Sequence, residues 1–223
     1  MSTLKPFAAV VFDMDGTLLD TEIVYKEIVW DVSRTLGFTM TDDIHLRMVG
    51  ASNEATGRML VEAYGVSFPF AQFEAECRRI MRGRMADAVP VKPGVPELLT
   101  ELRARRVPMA VATSSRAPHA LGHLGTAGLL EMFETIVTRD QVTNPKPHPE
   151  PYLLAAERLA TAPADCLAIE DSLMGVRAAA DAGMQTVMVP DLVQPTPDVR
   201  ALCHAVMESL HEVRTAAFAT IVA

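Results

Sequence analysis

The chain has 223 residues, 49% of them hydrophobic and 22% charged, the balance of a globular chain rather than a disordered one. That length buries enough apolar surface to need no disulfide or metal staple. A formal net charge of −8 gives no counterion-release energy on DNA or RNA, so nucleic-acid partners are disfavoured and none is expected, while a local cluster of acids suits a hard cation. The three cysteines, Cys77, Cys166 and Cys203, lie far apart with no CxxC or Cys/His spacing. That argues against a zinc site or a disulfide framework and for a reducing compartment. No apolar run is long enough to span a membrane, and Phe7–Phe12 is too short and poorly flanked for a signal peptide. A cytoplasmic protein is expected, with a monomer as the default state.

In chain order, Ala8–Phe12 reads as a short buried strand stopped by Asp13. The next 70 or so residues read as helical. Tyr25, Ile28, Val29, Val32 and Leu36 form a stripe at helical spacing, stopped by Gly37. Ser52 is placed to cap a helix ending at Gly65. Phe70, Phe73, Cys77, Ile80 and Met81 make a further stripe. Lys92-Pro93-Gly94 is the clearest boundary in the chain.

Beyond it, the runs Val107–Thr113, Thr135–Thr138, Cys166–Ile169 and Gln185–Val189 alternate with helical stretches at Val95–Arg106, Pro149–Leu159 and Leu173–Ala182. That alternation predicts an α/β fold, a doubly wound parallel sheet with helices on both faces. A crossover needs only about a dozen residues. The long stretch after the first strand is therefore an inserted helical domain. The expected division is residues 1–16 and 93–223 for the core and 17–92 for the insert, with linkers near Gly16–Thr21 and Asp87–Pro93. The residues Thr215–Ala223 carry no pattern that places them.

Four clusters carry chemistry. Asp13 and Asp15, two residues apart after a buried strand, point to the same side at its carboxyl end, where open α/β sheets bind ligands. Side by side they repel unless a cation or a shared proton relieves them. Glu170-Asp171 also ends an apolar strand and precedes a helix, which Asp171 or Ser172 is placed to cap. Acids at two such strand ends make a candidate Mg²⁺ site. Thr113-Ser114-Ser115 combines small hydroxyls with free backbone N–H groups near a helix start, an arrangement that binds anions. Lys146 sits among prolines that fix its backbone.

Together, Asp13-Met-Asp-Gly-Thr17, Thr113/Ser114, Lys146-Pro147 and Glu170-Asp171 resemble the four motifs of the haloacid dehalogenase (HAD) superfamily, in order and spacing over nearly the whole chain. Val11–Glu22 and Glu170–Arg177 are similar to its β-phosphoglucomutase-like branch, which carries a helical cap after the first motif. The resemblance implies Asp13 as the nucleophile that forms an aspartyl-phosphate and Asp15 as general acid, then base. It implies Mg²⁺ held by Asp13, the Asp15 carbonyl and Asp171, with Glu170 a direct or water-mediated neighbour. Thr113 and the Ser114 N–H would bind the phosphoryl oxygens, and Lys146 would balance charge. Pro145 departs from the family, which usually has glycine there.

Within that branch a phosphatase is expected, acting on a small sugar or polyol phosphate. The mutases carry an arginine in a Gly-x-Ser-Arg stretch of the cap. Here the matching stretch is Gly50-Ala51-Ser52-Asn53, with Asn53 in the arginine's place and Arg47 and Arg58 nearby. Met48, Val49, Ser52 and Asn53 are the expected selectors of substrate. Lys26 matches the cap region where a related phosphonate hydrolase carries a reactive lysine, although that enzyme usually lacks the second acid. A two-component receiver domain also gathers acids, Ser/Thr and Lys on an α/β sheet. Its acceptor lies on the third strand, however, and it has no 70-residue helical insert.

Overall fold

The computed structural model describes residues 4–48 and 53–219. The chain divides into two compact units, Met1–Asp20 with Val89–Ala223, and Thr21–Ala88.

The second unit is helical: α1 (Thr21–Thr35), α2 (Asp42–Met48), α3 (Asn53–Tyr64) and α4 (Phe70–Asp87). The apolar stripes close on one another. Ile28, Val29 and Val32 of α1 and Phe73 and Cys77 of α4 share a core with Met40, Leu60 and Phe68. Phe38 and Tyr64 pack on Phe68 at ring-centroid distances of 4.8 and 5.3 Å. Helix α2 has too short a stripe to be read from the sequence. It forms because the Thr41 hydroxyl accepts the Ile44 N–H at 3.3 Å and Asp42 and Asp43 face the positive end of the helix. It buries His45 and Met48.

The first unit carries a six-stranded parallel sheet: β1 (Ala9–Phe12), β2 (Met109–Ala112), β3 (Thr135–Val137), β4 (Cys166–Glu170), β5 (Gln185–Met188) and β6 (Ala205–Val206), in the order β3-β2-β1-β4-β5-β6. Its helices are α5 (Val95–Ala104), α6 (Ala117–Thr126), α7 (Glu150–Arg158), α8 (Leu173–Asp181), α9 (Pro197–Leu202) and α10 (Leu210–Ala219). Ala9 and Val11 share a cluster with Tyr152, Ala155 and Ala178, while Val10 and Phe12, on the opposite face, are equally buried. Both faces of β1 are covered, which is why it reads as an unbroken apolar run. Among the described residues no helix is long and apolar enough to cross a membrane.

The structure moves two boundaries. Residues 17–20 and 89–92, expected in the helical insert, belong to the α/β unit. Leu18 and Leu19 are fully buried, and the two linkers pair with each other. The Asp20 N–H donates to the Pro90 carbonyl at 2.9 Å and the Lys92 N–H to the Leu18 carbonyl at 3.0 Å. The C-terminal stretch left unplaced by the sequence is helical as far as Ala219: α10 buries Val213, Ala217 and Phe218. Strand β6, only two residues long, offers no alternation to read.

Candidate active site

In this strand order the chain leaves β1 toward one edge and returns through β4 toward the other, so a crevice opens at the carboxyl ends of β1 and β4. The register aligns Phe12 with Ile169, and the Asp13 N–H donates to the Ile169 carbonyl at 2.9 Å. Asp13 and Glu170 therefore leave neighbouring strands at the same level.

Lys146 joins them. Its loop is pinned by Glu150, whose carboxylate accepts the N–H groups of Thr143 and Asn144, both at 2.8 Å. The side chain is 4% exposed, and Nζ lies 2.5 Å from both Asp13 Oδ1 and Glu170 Oε1. Glu170, fully buried, is saturated with donors. Oε1 accepts from Lys146 and, at 2.6 Å, from the Tyr152 hydroxyl. Oε2 accepts the N–H groups of Asp171 and Ser172, both at 3.1 Å, and the Ser172 hydroxyl at 2.9 Å. Ser172 also caps α8, accepting the Gly175 N–H at 3.0 Å. Gly175 is required here because a Cβ would run into the Glu170 carboxylate.

Asp171 sits against Gly16, which takes φ 87° and whose missing Cβ leaves room for the Asp171 carboxylate. The Thr17 hydroxyl approaches Asp171 Oδ1 at 3.5 Å. Asp15 is held from the β2–α6 loop, where the Ser115 hydroxyl donates to Asp15 Oδ2 at 2.8 Å and the Ser115 N–H donates to Thr113 Oγ1 at 2.9 Å. Thr113 is buried and Ser114 exposed.

Burial dominates the electrostatics. It pushes the Asp13 carboxyl up to about 7; Lys146 opposes this, and Glu170 and Asp15 add to it. Asp171 is raised well above the carboxylate range by burial, then by Asp13 and Glu170. For Lys146 burial acts to lower the ammonium pKa, but Asp13 and Glu170 outweigh it and hold the group above an ordinary lysine.

Oxygens of Asp13, Glu170 and Asp171 lie within 4.8 Å of one another. Glu170 has five donors on the roughly four lone-pair sites of a carboxylate. These donors tie Glu170 to Lys146 and its own loop, while its carboxylate stands in the same cluster as Asp13 and Asp171, compatible with a direct or water-mediated neighbour of a cation. Asp13, buried, and Asp171, half-buried, are hard oxygen donors, the Asp13 charge raises the Asp171 pKa, and this donor set fits a hard divalent cation.

The residues expected to select substrate lie in the helical unit, engaged with its own carboxylates. Lys26 pairs with Asp42 at 2.6 Å and lies 5.1 Å from the Trp30 ring centroid. Arg47 meets Glu62 at 3.5 Å, Arg58 meets Glu54 at 2.5 Å, and the Asn53 amide donates to Glu74. Met48 is buried in the helical core. Ser52 and Val49 lie outside the described residues.

Sequence reasoning missed the parts played by Tyr152 and Ser115. Tyr152 carried one usable signal: a tyrosine on a helix of small residues, Ala155 and Ala156, goes inside, and a buried hydroxyl needs a partner.

The family model "Haloacid dehalogenase-like hydrolase" matches residues 10–189. The chain is 35% identical over 197 residues to the phosphorylated carbohydrates phosphatase of Thermotoga maritima, covering 88% of this chain and 90% of that protein. A crystal structure of a Thermotoga maritima protein, provisionally named a beta-phosphoglucomutase, superposes with a TM-score of 0.80 at 31% identity, covering 96% and 99% of the two chains. A HAD family hydrolase of Deinococcus radiodurans, crystallised with bound phosphate and sodium, gives a TM-score of 0.86 at 28% identity, covering 96% of each chain.

Proposed function

Since the chain belongs to the haloacid dehalogenase-like hydrolases, we propose that it is a Mg²⁺-dependent phosphatase of small phosphorylated carbohydrates, working through a phosphorylated Asp13. The buried Asp13–Lys146–Glu170 chain at the crevice is its strongest support. An anionic nucleophile and a phosphate dianion repel each other, and a buried ammonium in contact with the nucleophile offsets that repulsion. The relative that hydrolyses phosphorylated carbohydrates suggests the substrate class.

In this reading an Asp13 carboxylate oxygen attacks phosphorus and the sugar oxygen leaves with a proton from Asp15. Asp15 then takes a proton from the water that cleaves the acyl phosphate, releasing phosphate and restoring Asp13. Ser115 orients the Asp15 carboxyl. Thr113 and the Ser114 N–H hold phosphoryl oxygens. Asp13, Asp171 and the Asp15 carbonyl would hold Mg²⁺, which when bound supplies charge neutralisation at the phosphoryl group. Glu170 keeps Lys146 in place. The free cysteines suit a reducing, cytoplasmic setting, and the enzyme is proposed as a monomer.

Hydrolysis rather than isomerisation is favoured by Asn53. It is a neutral amide bound to Glu74, and the nearby Arg47 and Arg58 are each paired with a carboxylate. Such a set lacks the charge-assisted hold that an arginine gives a second phosphate. Phosphorus NMR tests this. With β-glucose 1-phosphate, Mg²⁺ and a trace of the bisphosphate, glucose 6-phosphate should stay negligible, while a panel of sugar phosphates should release inorganic phosphate that excess chelator abolishes. Rapid glucose 6-phosphate formation with little free phosphate would establish the mutase instead.

A further inference from the structure

Tyr152 is fully buried on the face of α7 that packs against the sheet, among Ala155, Ala156 and the small residues of β1, β2 and β4. A phenylalanine would fill that space without bringing a polar atom into it. The hydroxyl does not satisfy itself on backbone. It donates at 2.6 Å to Glu170 Oε1, the same oxygen that Lys146 Nζ reaches at 2.5 Å. The ring also meets the lysine, with Nζ 5.1 Å from its centroid. Tyr152 thus touches the lysine–carboxylate pair twice, once through the hydroxyl and once through the ring.

The hydroxyl matters because of how the donors are shared. Glu170 Oε2 is fully committed to Asp171, Ser172 and the Ser172 hydroxyl, so Oε1 alone faces Lys146. With Tyr152 on Oε1, about one lone pair of that oxygen is left for the ammonium. Without it, Oε1 becomes a stronger acceptor and draws Nζ away from Asp13. We propose that Tyr152 is a positioning residue that, by sharing Glu170 Oε1 and backing Nζ with its ring, holds Lys146 on Asp13 and the phosphoryl group. This rests on the phosphatase reading, because the position of Lys146 matters only if phosphoryl transfer occurs at Asp13.

Tyr152→Phe tests it, because the ring stays and only the hydroxyl goes. Phosphate release is followed below the melting range of both proteins, together with inhibition by orthovanadate, a phosphoryl transition-state mimic. The expected result is a fall in kcat/KM of about tenfold, the scale of one hydrogen bond to a charged group, with vanadate inhibition weakened by a similar factor. In a Glu170→Gln background, adding Tyr152→Phe should change kcat/KM less than about twofold, because the hydroxyl acts through that carboxylate. A hydroxyl with a merely structural role lowers the melting temperature and leaves kcat/KM and vanadate inhibition unchanged. That result, in an active wild-type enzyme, overturns the inference alone, as does full additivity with Glu170→Gln. A wild-type protein that releases no phosphate from any sugar phosphate overturns the phosphatase reading, and the inference with it.

Discussion

Gly175 and Asp13 show how much of the site is set residue by residue. The missing Cβ of Gly175 lets α8 begin against Glu170. Gly175→Ala therefore displaces a buried carboxylate that holds Lys146. The expected cost is about 1–3 kcal/mol of stability from overpacking and about a hundredfold in kcat from the misplaced lysine. Thermal melts and steady-state assays check both. The acids and the lysine were legible in the sequence because each stands at a strand end or in a proline-fixed loop, positions that announce themselves by local pattern. Their partners were not. Tyr152 meets Glu170 across 18 residues and Ser115 meets Asp15 across 100, and no local signal encodes such pairings.

At the scale of elements, α2 is one piece the sequence hid, and its buried histidine makes it sensitive to acid. His45, on its buried face, has its ring 5.1 Å from that of Trp30. Burial lowers its pKa below the ordinary 6.5; Lys26 adds to this and Asp42 opposes it. The unfolded chain therefore takes up this proton first, and stability present above pH 6.5 is lost as the pH falls below that value. Nuclear magnetic resonance should place the His45 midpoint under 6.5. His45→Gln should reduce the fall in melting temperature between about pH 7 and about pH 5. Long stripes such as those of α1 and α4 were readable. The linkers were located near Gly16–Thr21 and Asp87–Pro93, but their pairing with each other was not legible, because Leu18 and Leu19 are buried against a segment 72 residues away, with Leu19 bridged to Val91.

For the whole molecule, the topology separates the α/β core from the inserted helices. The sheet and both of its helical faces lie in one unit, and the inserted helices leave and re-enter through linker segments already hydrogen-bonded to each other. Replacing residues 21–88 with a short Gly/Ser linker should leave a cooperatively melting α/β protein, since closing a short loop between two paired segments costs little. Circular dichroism during thermal unfolding checks this. The doubly wound architecture followed from the alternation of apolar runs alone, whereas the edge strand β6 emerged only from its pairing with β5. Everything functional in this account turns on Asp13 carrying the phosphoryl group. Acid-quenching the enzyme during turnover of a sugar phosphate and mapping phosphorylated peptides by mass spectrometry tests that directly. The account predicts a phosphoryl adduct on Asp13, absent from a folded Asp13→Asn variant that also releases no phosphate. Steady turnover without an Asp13 adduct, or near-normal kcat in Asp13→Asn, would contradict it.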